Sequence, residues 1–252
     1  MTTIHDDRSF QAGAVSPRPA KRLSLVALSL LATALFLALG IWQVERRAWK
    51  LDLIARVEAR LSAAPVPAPG PAEWPRISHE TSRDADEYRR VTASGRFLPG
   101  RAVRTMAVTE KGPGSWLLEP LVTGSGDTIL VNRGFVPPDW RAPPGDGEGT
   151  ATVTGLLRIT EPGGGFLRSN DPAHGRWYSR DVAAIAEAEG LGRVAPYFID
   201  ADAAGNGPGR PVGGLTVVAF RNHHLIYALT WFGLAALSGY AAHRAWRERV
   251  PG

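Results

Sequence analysis

Asn222-His223-His224-Leu225-Ile226-Tyr227-Ala228-Leu229-Thr230-Trp231-Phe232 leads into the second of two long uncharged stretches, Leu225 to Ala242; the first is Leu23 to Val44. A helix rises about 1.5 Å per residue and a bilayer core is roughly 30 Å thick, so each stretch is long enough to span a membrane. Such a helix usually begins on a snorkelling charge or an aromatic anchor. This one begins on two imidazoles, which are uncommon near a membrane and are good ligands for iron. His224, Tyr227 and Trp231 fall at i, i+3 and i+7, on one helical face, with His223 beside them toward Tyr227 and Thr230. The spacing places a candidate haem site at the outer membrane boundary, level with Trp42. There a neutral imidazole can ligate the iron and aromatics can pack the macrocycle. The same residues also suit an interfacial anchor, because Trp and Tyr gather at membrane boundaries and His there can face water.

Charge separates the chain into tails and a centre. Between Gln43 and Asn222 lie 22 of the 29 basic and 21 of the 24 acidic residues, a balance near +1, and the tails hold the other 7 basic and 3 acidic residues, +4. The high pI therefore belongs to the tails. Nucleic-acid binding would need basic residues gathered on one element with stacking aromatics, and the chain has none such. Arg8, Arg18, Lys21 and Arg22 precede the first span, and Arg244, Arg247 and Arg249 follow the second. Basic flanks stay cytoplasmic, which places both termini inside and the centre outside. Arg46, Arg47 and Lys50 on the far side blur that rule, but a domain of about 180 residues crosses largely regardless of charge. A cleaved signal peptide fits the first span less well, since its apolar run is long and no clear Ala-x-Ala site precedes Trp42. The chain has no cysteine, which excludes thiolate chemistry and covalent haem attachment through Cys-x-x-Cys-His, and only Met1 and Met106 as methionines, which weighs against a soft copper(I) site. Asp6 and Asp7 in a tail with little Ser or Arg fit a bacterial inner membrane better than a mitochondrial transit peptide.

Between the spans the pattern is mainly β. Val44, Leu51, Ile54, Val57 and Leu61 continue the first helix to about Ala63, and Pro65, Pro67, Pro69, Pro71 and Pro75 then make an extended connector. Val91, Ala93, Gly95 and Phe97 alternate as a half-buried strand, with Gly95 marking a bulge or a close backbone approach and Ala102 to Val108 as hairpin partner. Trp116 to Val122 and Thr128 to Val136 flank the turn Gly124-Ser125-Gly126-Asp127, and Ile129-Leu130-Val131 reads as a central strand buried on both faces. Thr150 to Ile159 and the short Tyr197 to Ile199 complete the strands. Asp181 caps a helix over Val182 to Glu189 that Gly190 ends. The reading is an α+β membrane protein, with two transmembrane helices flanking a β-rich exported domain that holds one or two short helices. Its divisions are a cytoplasmic tail 1–22, membrane helix 23–44, helical extension 45–63, Pro-rich connector 64–76, periplasmic domain 77–222, membrane helix 223–242 and cytoplasmic tail 243–252.

Other clusters carry weaker chemistry. Asp171, His174 and Asp181 suggest a base with its orienting carboxylate, but no Gly-x-Ser-x-Gly elbow accompanies them, and Asn-Asp-Pro and His-Gly are turn signals. Gly205-Asn206-Gly207-Pro208-Gly209 is better read as a loop than a phosphate cradle. Asn132-Arg133-Gly134, at the end of the central strand, suits either an anion or the tying-off of a strand end.

Taken together, several stretches resemble the surfeit-locus family of cytochrome c oxidase assembly factors, in its bacterial form. They are Leu39-Gly40-Ile41-Trp42-Gln43 with Arg46, Arg47 and Lys50; Tyr88-Arg89-Arg90-Val91 with Gly95-Arg96-Phe97; and Leu130-Val131-Asn132-Arg133-Gly134-Phe135-Val136-Pro137. Trp177-Tyr178 with Asp181, Tyr197-Phe198-Ile199-Asp200, and Asn222-His223-His224-Leu225 with Tyr227 and Thr230-Trp231 follow in the family's order. The resemblance implies a non-enzymatic, chaperone-like role in building the haem–copper oxidase, holding haem a and helping its delivery to the catalytic subunit. It implies the oxidase catalytic subunit as partner, with the haem a synthesis machinery and the lipid bilayer, and no nucleic acid. The family's ligand histidine in the Asn-x-His-Leu motif corresponds to His224. His223 fills the variable position and leaves the choice between the two open, with Tyr227 and Trp231 as the surrounding aromatics. A second reading is a membrane-tethered scaffold that stabilises an assembly intermediate without binding haem.

Overall fold

The computed structural model describes residues 19–77, 83–165, 167–216, 220 and 222–247. Residues 1–18 and 248–252 of the expected tails, with Arg8, Arg18 and Arg249, lie outside them. In chain order the elements are α1 (Pro19–Ser62), β1 (Val66–Pro67), α2 (Trp74–Ile77), α3 (Arg83–Asp86), β2 (Arg90–Phe97), β3 (Val103–Thr109) and β4 (Gly112–Thr123). They continue with β5 (Thr128–Val136), β6 (Thr150–Ile159), α4 (Val182–Ala188), β7 (Val194–Ala201) and α5 (His224–Arg247). The chain forms two compact units, Met1–Leu53 with Phe220–Gly252, and Ile54–Ala219.

The first unit is a pair of antiparallel helices, each long and apolar enough to cross a membrane. Partner numbers fall along α5 as they rise along α1. Arg22 reaches Ala245 and Trp246, Phe36 meets Trp231, Gly40 meets Phe232, and Gln43 meets His224. Small residues let the backbones approach: Ala228, Ala235 and Ala242 repeat at every seventh position of α5 and are buried. At Gly40 an added Cβ would lie 2.5 Å from the Phe232 ring, so the close approach requires glycine there. The bulky residues point the other way. Leu23, Leu28, Leu31 and Leu35 of α1 and Ile226, Leu229 and Leu237 of α5 are all more than half exposed. At the end of the pair, Arg22 Nε donates to the Ala245 carbonyl at 2.7 Å, satisfying a last-turn acceptor of α5 that has no partner within the helix.

The second unit is a β-barrel, an architecture that local patterning did not reveal. Its strands run β2-β6-β7-β5-β4, and β4 pairs back to β2 to close the ring. Closure depends on β4 being 12 residues long. One edge pairs with β5, and the other is shared: Gly112 to Leu118 face β3 and Leu121 to Thr123 face β2. Gly95 sits where the ring shuts; a Cβ there would lie 2.3 Å from the Val122 carbonyl oxygen. The expected glycine signal is therefore a close backbone approach. All pairings are antiparallel except β5 with β7 and β1 with β2.

Alternation along β5 divides the core. Ile129 and Val131 join the barrel interior with Val91, Phe97, Leu121, Leu157, Tyr197 and Ile199. Leu130 faces outward into a second cluster with Leu118, Phe198, Trp177 and the α4 residues Val182 and Ile185. Because both faces are covered, the strand reads as a continuous apolar run. The connector is more structured than an extended spacer. Val66–Pro67 adds a parallel strand beside β2, and the Pro69 carbonyl accepts hydrogen bonds from Tyr197 Oη at 2.8 Å and Trp74 Nε1 at 2.9 Å. Alongside α4, two four-residue helical segments, α2 and α3, are present where one or two short helices were expected. Asp181 caps α4 as its spacing predicted, accepting from the Ala184 amide at 3.1 Å.

Candidate functional site

The strongest candidate site lies at the start of α5. Asn222 Oδ1 accepts from the His224 amide at 3.4 Å, and the His223 carbonyl accepts from the amides of Ile226 and Tyr227. His223 therefore stands at the cap position, with its side chain exposed. His224 is the first residue of the helix proper, half-buried on the face that meets α1. The two adjacent histidines differ because one precedes the helical turn and the other belongs to it.

His224 Nδ1 lies 2.7 Å from Gln43 Oε1. In a neutral ring, a carbonyl oxygen facing Nδ1 would draw the proton there and leave Nε2 its lone pair. Among the described residues Nε2 makes no hydrogen bond. Gln43 is 9% exposed, a buried polar residue at the end of the apolar stretch of α1. Two turns, or about 10 Å, further along both helices, Phe36 and Trp231 stack with ring centroids 5.6 Å apart and planes at 23°.

Of the sequence candidates, the structure brings His224 and Trp231 onto the interhelical face and turns the other two away. The packed face is centred on Ala228, and Tyr227, about 100° round the helix, is 55% exposed. Trp42 also faces outward, at 54%; its neighbour Gln43 is the residue that meets His224. Sequence reasoning did not assign Gln43 or Phe36 to the site. A signal was present, because Phe36, Gly40 and Gln43 fall at i, i+4 and i+7 and a polar residue in such a stripe usually faces a partner helix.

The site fits a haem in the chemistry of its donor. Among the described residues no group of three His, Cys, Asp or Glu gathers to hold a bare metal ion. Haem brings its own equatorial nitrogens and needs only an axial donor such as a neutral imidazole.

The remaining candidates are occupied by structural work. His174 Nδ1 meets Asp171 at 2.9 Å on an exposed turn, and hydrogen bonds from His174 and Arg176 hold the Asp171 carboxyl below the usual range. Asp181 is engaged elsewhere, with the amides of Ala184 and Gly163, so no base-and-orienter set forms with it. Arg133 is committed to Glu119 at 2.8 Å and Asp146 at 2.7 Å, and Asn132 donates to Asp200 at 2.8 Å. The triplet ties off a strand end. Gly134 belongs to the same corner, where a Cβ would lie 2.2 Å from the Val212 backbone. Burial pushes the Glu119 carboxyl above its ordinary value despite Arg133. Around Asp200, Arg158 and Arg180 supply charge-assisted bonds at 2.8 and 3.2 Å. Burial works against the charge of Glu161 as well, but the hydrogen bonds and charge of Arg180 outweigh it and hold this carboxyl below its usual range. In the Gly205–Gly209 loop, Asn206 bonds both backbone groups of Gly213, as a loop clasp.

Comparison with known proteins places this arrangement. The family described as the SURF1 family matches residues 30–236, from within α1 to within α5. Surfeit locus protein 1 of Rattus norvegicus is 37% identical over 236 residues, covering 85% of this chain and 73% of the relative. That of Homo sapiens is 37% identical over 237 residues, covering 85% and 75%. A SURF1-like protein of Caenorhabditis elegans is 34% identical over 227 residues, covering 80% and 67%. With the match reaching across both apolar helices and the barrel between them, the chain belongs to the SURF1 family.

Proposed function

We propose that this protein is a bacterial inner-membrane assembly factor for haem–copper cytochrome c oxidase. It holds haem a at the His224 end of the helix pair and helps pass it to the catalytic subunit. The observation that carries the reading is His224 itself, a half-buried imidazole on an interhelical face with Nδ1 engaged by Gln43 and Nε2 left as a donor. Two turns further along the pair, the Phe36–Trp231 stack offers an apolar wall. Haem supplies an apolar macrocycle and an iron that accepts one imidazole lone pair; the chain supplies the lone pair, its orientation and the aromatic packing. A single axial bond at a site open to the membrane suits a cargo that must leave again.

Membrane insertion is supported by the inverted packing of the helix pair, small residues inward and leucines outward, the reverse of a water-soluble pair. Because the helices are antiparallel, Lys21 and Arg22 share one end with Arg244 and Arg247, and the positive-inside rule sets that end in the cytoplasm and the barrel in the periplasm.

The test is spectroscopic. Protein purified from cells that make haem a carries a Soret band, which His224→Ala abolishes or strongly shifts while the protein stays inserted and folded. His223→Ala does less. Trp231→Ala weakens haem retention but keeps the axial signature, since it removes packing and not ligation. A full Soret band in the His223/His224 double alanine variant would overturn the haem reading in favour of a scaffold that steadies an assembly intermediate.

A further inference from the structure

We infer that Gln43 is the positioning residue of this site: it holds His224 in the Nδ1–H tautomer, so that Nε2 is the nitrogen presented to haem iron. This rests on the haem reading above and adds to it the device that makes His224, and not His223, the donor.

The inference starts from a buried polar pair. Gln43 is 9% exposed, on a helix whose outer residues are apolar, and its carbonyl oxygen approaches His224 Nδ1 at 2.7 Å. An amide buried in such a place is costly to leave unpaired. The contact with His224 gives the buried Gln43 carboxamide its partner. A neutral imidazole has one protonated and one bare nitrogen, and an acceptor at Nδ1 decides which. Imidazoles that ligate metals commonly donate their other N–H to a carbonyl or carboxylate, which fixes the ring's orientation and raises its basicity. Gln43 stands in that relation to His224. His223 is exposed at the cap position, and among the described residues its ring makes no such bond.

Position is enforced from the helix pair. Gly40, one turn before Gln43, admits the Phe232 ring to a place where a Cβ would meet it at 2.5 Å. Ala228, one turn after His224, is buried against the same face. Close helix approach therefore places the carboxamide within hydrogen-bond reach of the ring.

The test uses the full chain in lipid nanodiscs, produced without haem a and labelled with 15N-histidine, His224 being assigned by its loss in His224→Ala. In the haem-free wild type, His224 shows a protonated Nδ1 and a bare Nε2. Gln43→Leu redistributes the tautomers and lowers affinity for added haem a about 10–100-fold, the usual cost of losing an outer-shell partner. Gln43→Glu, which keeps an acceptor at the same place, preserves the tautomer and the affinity and lowers the midpoint potential of the bound haem, because a carboxylate makes the ring a stronger donor. A wild-type His224 protonated on Nε2 overturns the inference without any variant being needed. So does a Gln43→Leu protein that keeps both tautomer and affinity. If the tautomer depends on Gln43 but His224→Ala binds haem a unchanged, the haem reading fails at His224 and the inference falls with it, a result distinct from failure of the hydrogen bond.

Discussion

A single residue's environment in this protein is decided by what it is paired with. Glu119 and Glu161 are both carboxylates beside arginines, yet they shift in opposite directions. At Glu119 burial dominates and raises the carboxyl above its ordinary value of 4.5, and at Glu161 the bonds from Arg180 prevail over burial and lower it. The linkage signs follow. A lowered folded value gives Glu161 a stabilising contribution that is present above the unfolded value and is lost as pH falls through the folded one. A raised folded value gives Glu119 a contribution that is present below the unfolded value and is lost as pH rises through the folded one. Chemical unfolding of the full chain in detergent, followed by tryptophan fluorescence against pH, should show both. The advantage of wild type over Glu161→Gln disappears as pH falls below about 4.5, whereas its advantage over Glu119→Gln shrinks as pH rises above it. Parallel trends for the two variants would refute the assignment.

Among the elements, two short features hold much of the barrel in place. Asp181 accepts from the Ala184 amide within α4 and from the Gly163 amide across the preceding loop. Asp181→Ala should lower unfolding stability by about 1–2 kcal/mol, the usual range for losing a helix cap, whereas Asp181→Asn should recover most of it. Gly95 carries a different constraint. Its neighbour is the Val122 carbonyl, part of the backbone of β4, which cannot swing aside as a side chain would. Gly95→Val should open the β2–β4 junction, cost roughly 3 kcal/mol or more by comparison with overpacked cores, and make the amides of β2 exchange faster than those of β5. Uniform protection across β2 and β5 in that variant would show that closure does not depend on this contact.

At the scale of the molecule, an antiparallel helix pair returns the chain to the end from which it set out. With Arg22 against Ala245 and Trp246, the basic residues Lys21 and Arg22 of α1 lie at the same end of the helix pair as Arg244 and Arg247 of α5. Alkaline phosphatase fused within the Pro-rich connector should be active, and fused after Arg249 it should be silent. The opposite pattern would invert the topology and place the His224 end in the cytoplasm. In the proposed topology the seven basic residues of the two tails fall on the cytoplasmic side. Arg46, Arg47 and Lys50 at the other end make the fusion experiment informative, because charge alone divides between the two sides.

Much of this protein was legible along the chain, because it is set by neighbours a few residues away. Two apolar runs specify the long helices, alternation specifies β2, a continuous apolar run specifies β5, a four-residue turn joins β4 to β5, and Asp181 announces α4 by capping it. The choice between adjacent histidines is also local in part, since Asn222 sets where the helix begins. Other features depend on residues far apart in sequence. Gln43 meets His224 across 181 residues, Arg133 is claimed by Glu119 and Asp146, and Gly95 closes a ring whose other side is Val122. Periodicity says which face of α5 carries Tyr227, but only the packing of small residues against α1 decides that this face turns outward. Local spacing constrains backbone conformation. A hydrogen bond or a close approach between distant segments exists only once the chain has folded, and that is why the contact between Gln43 and His224 became visible in the tertiary structure alone.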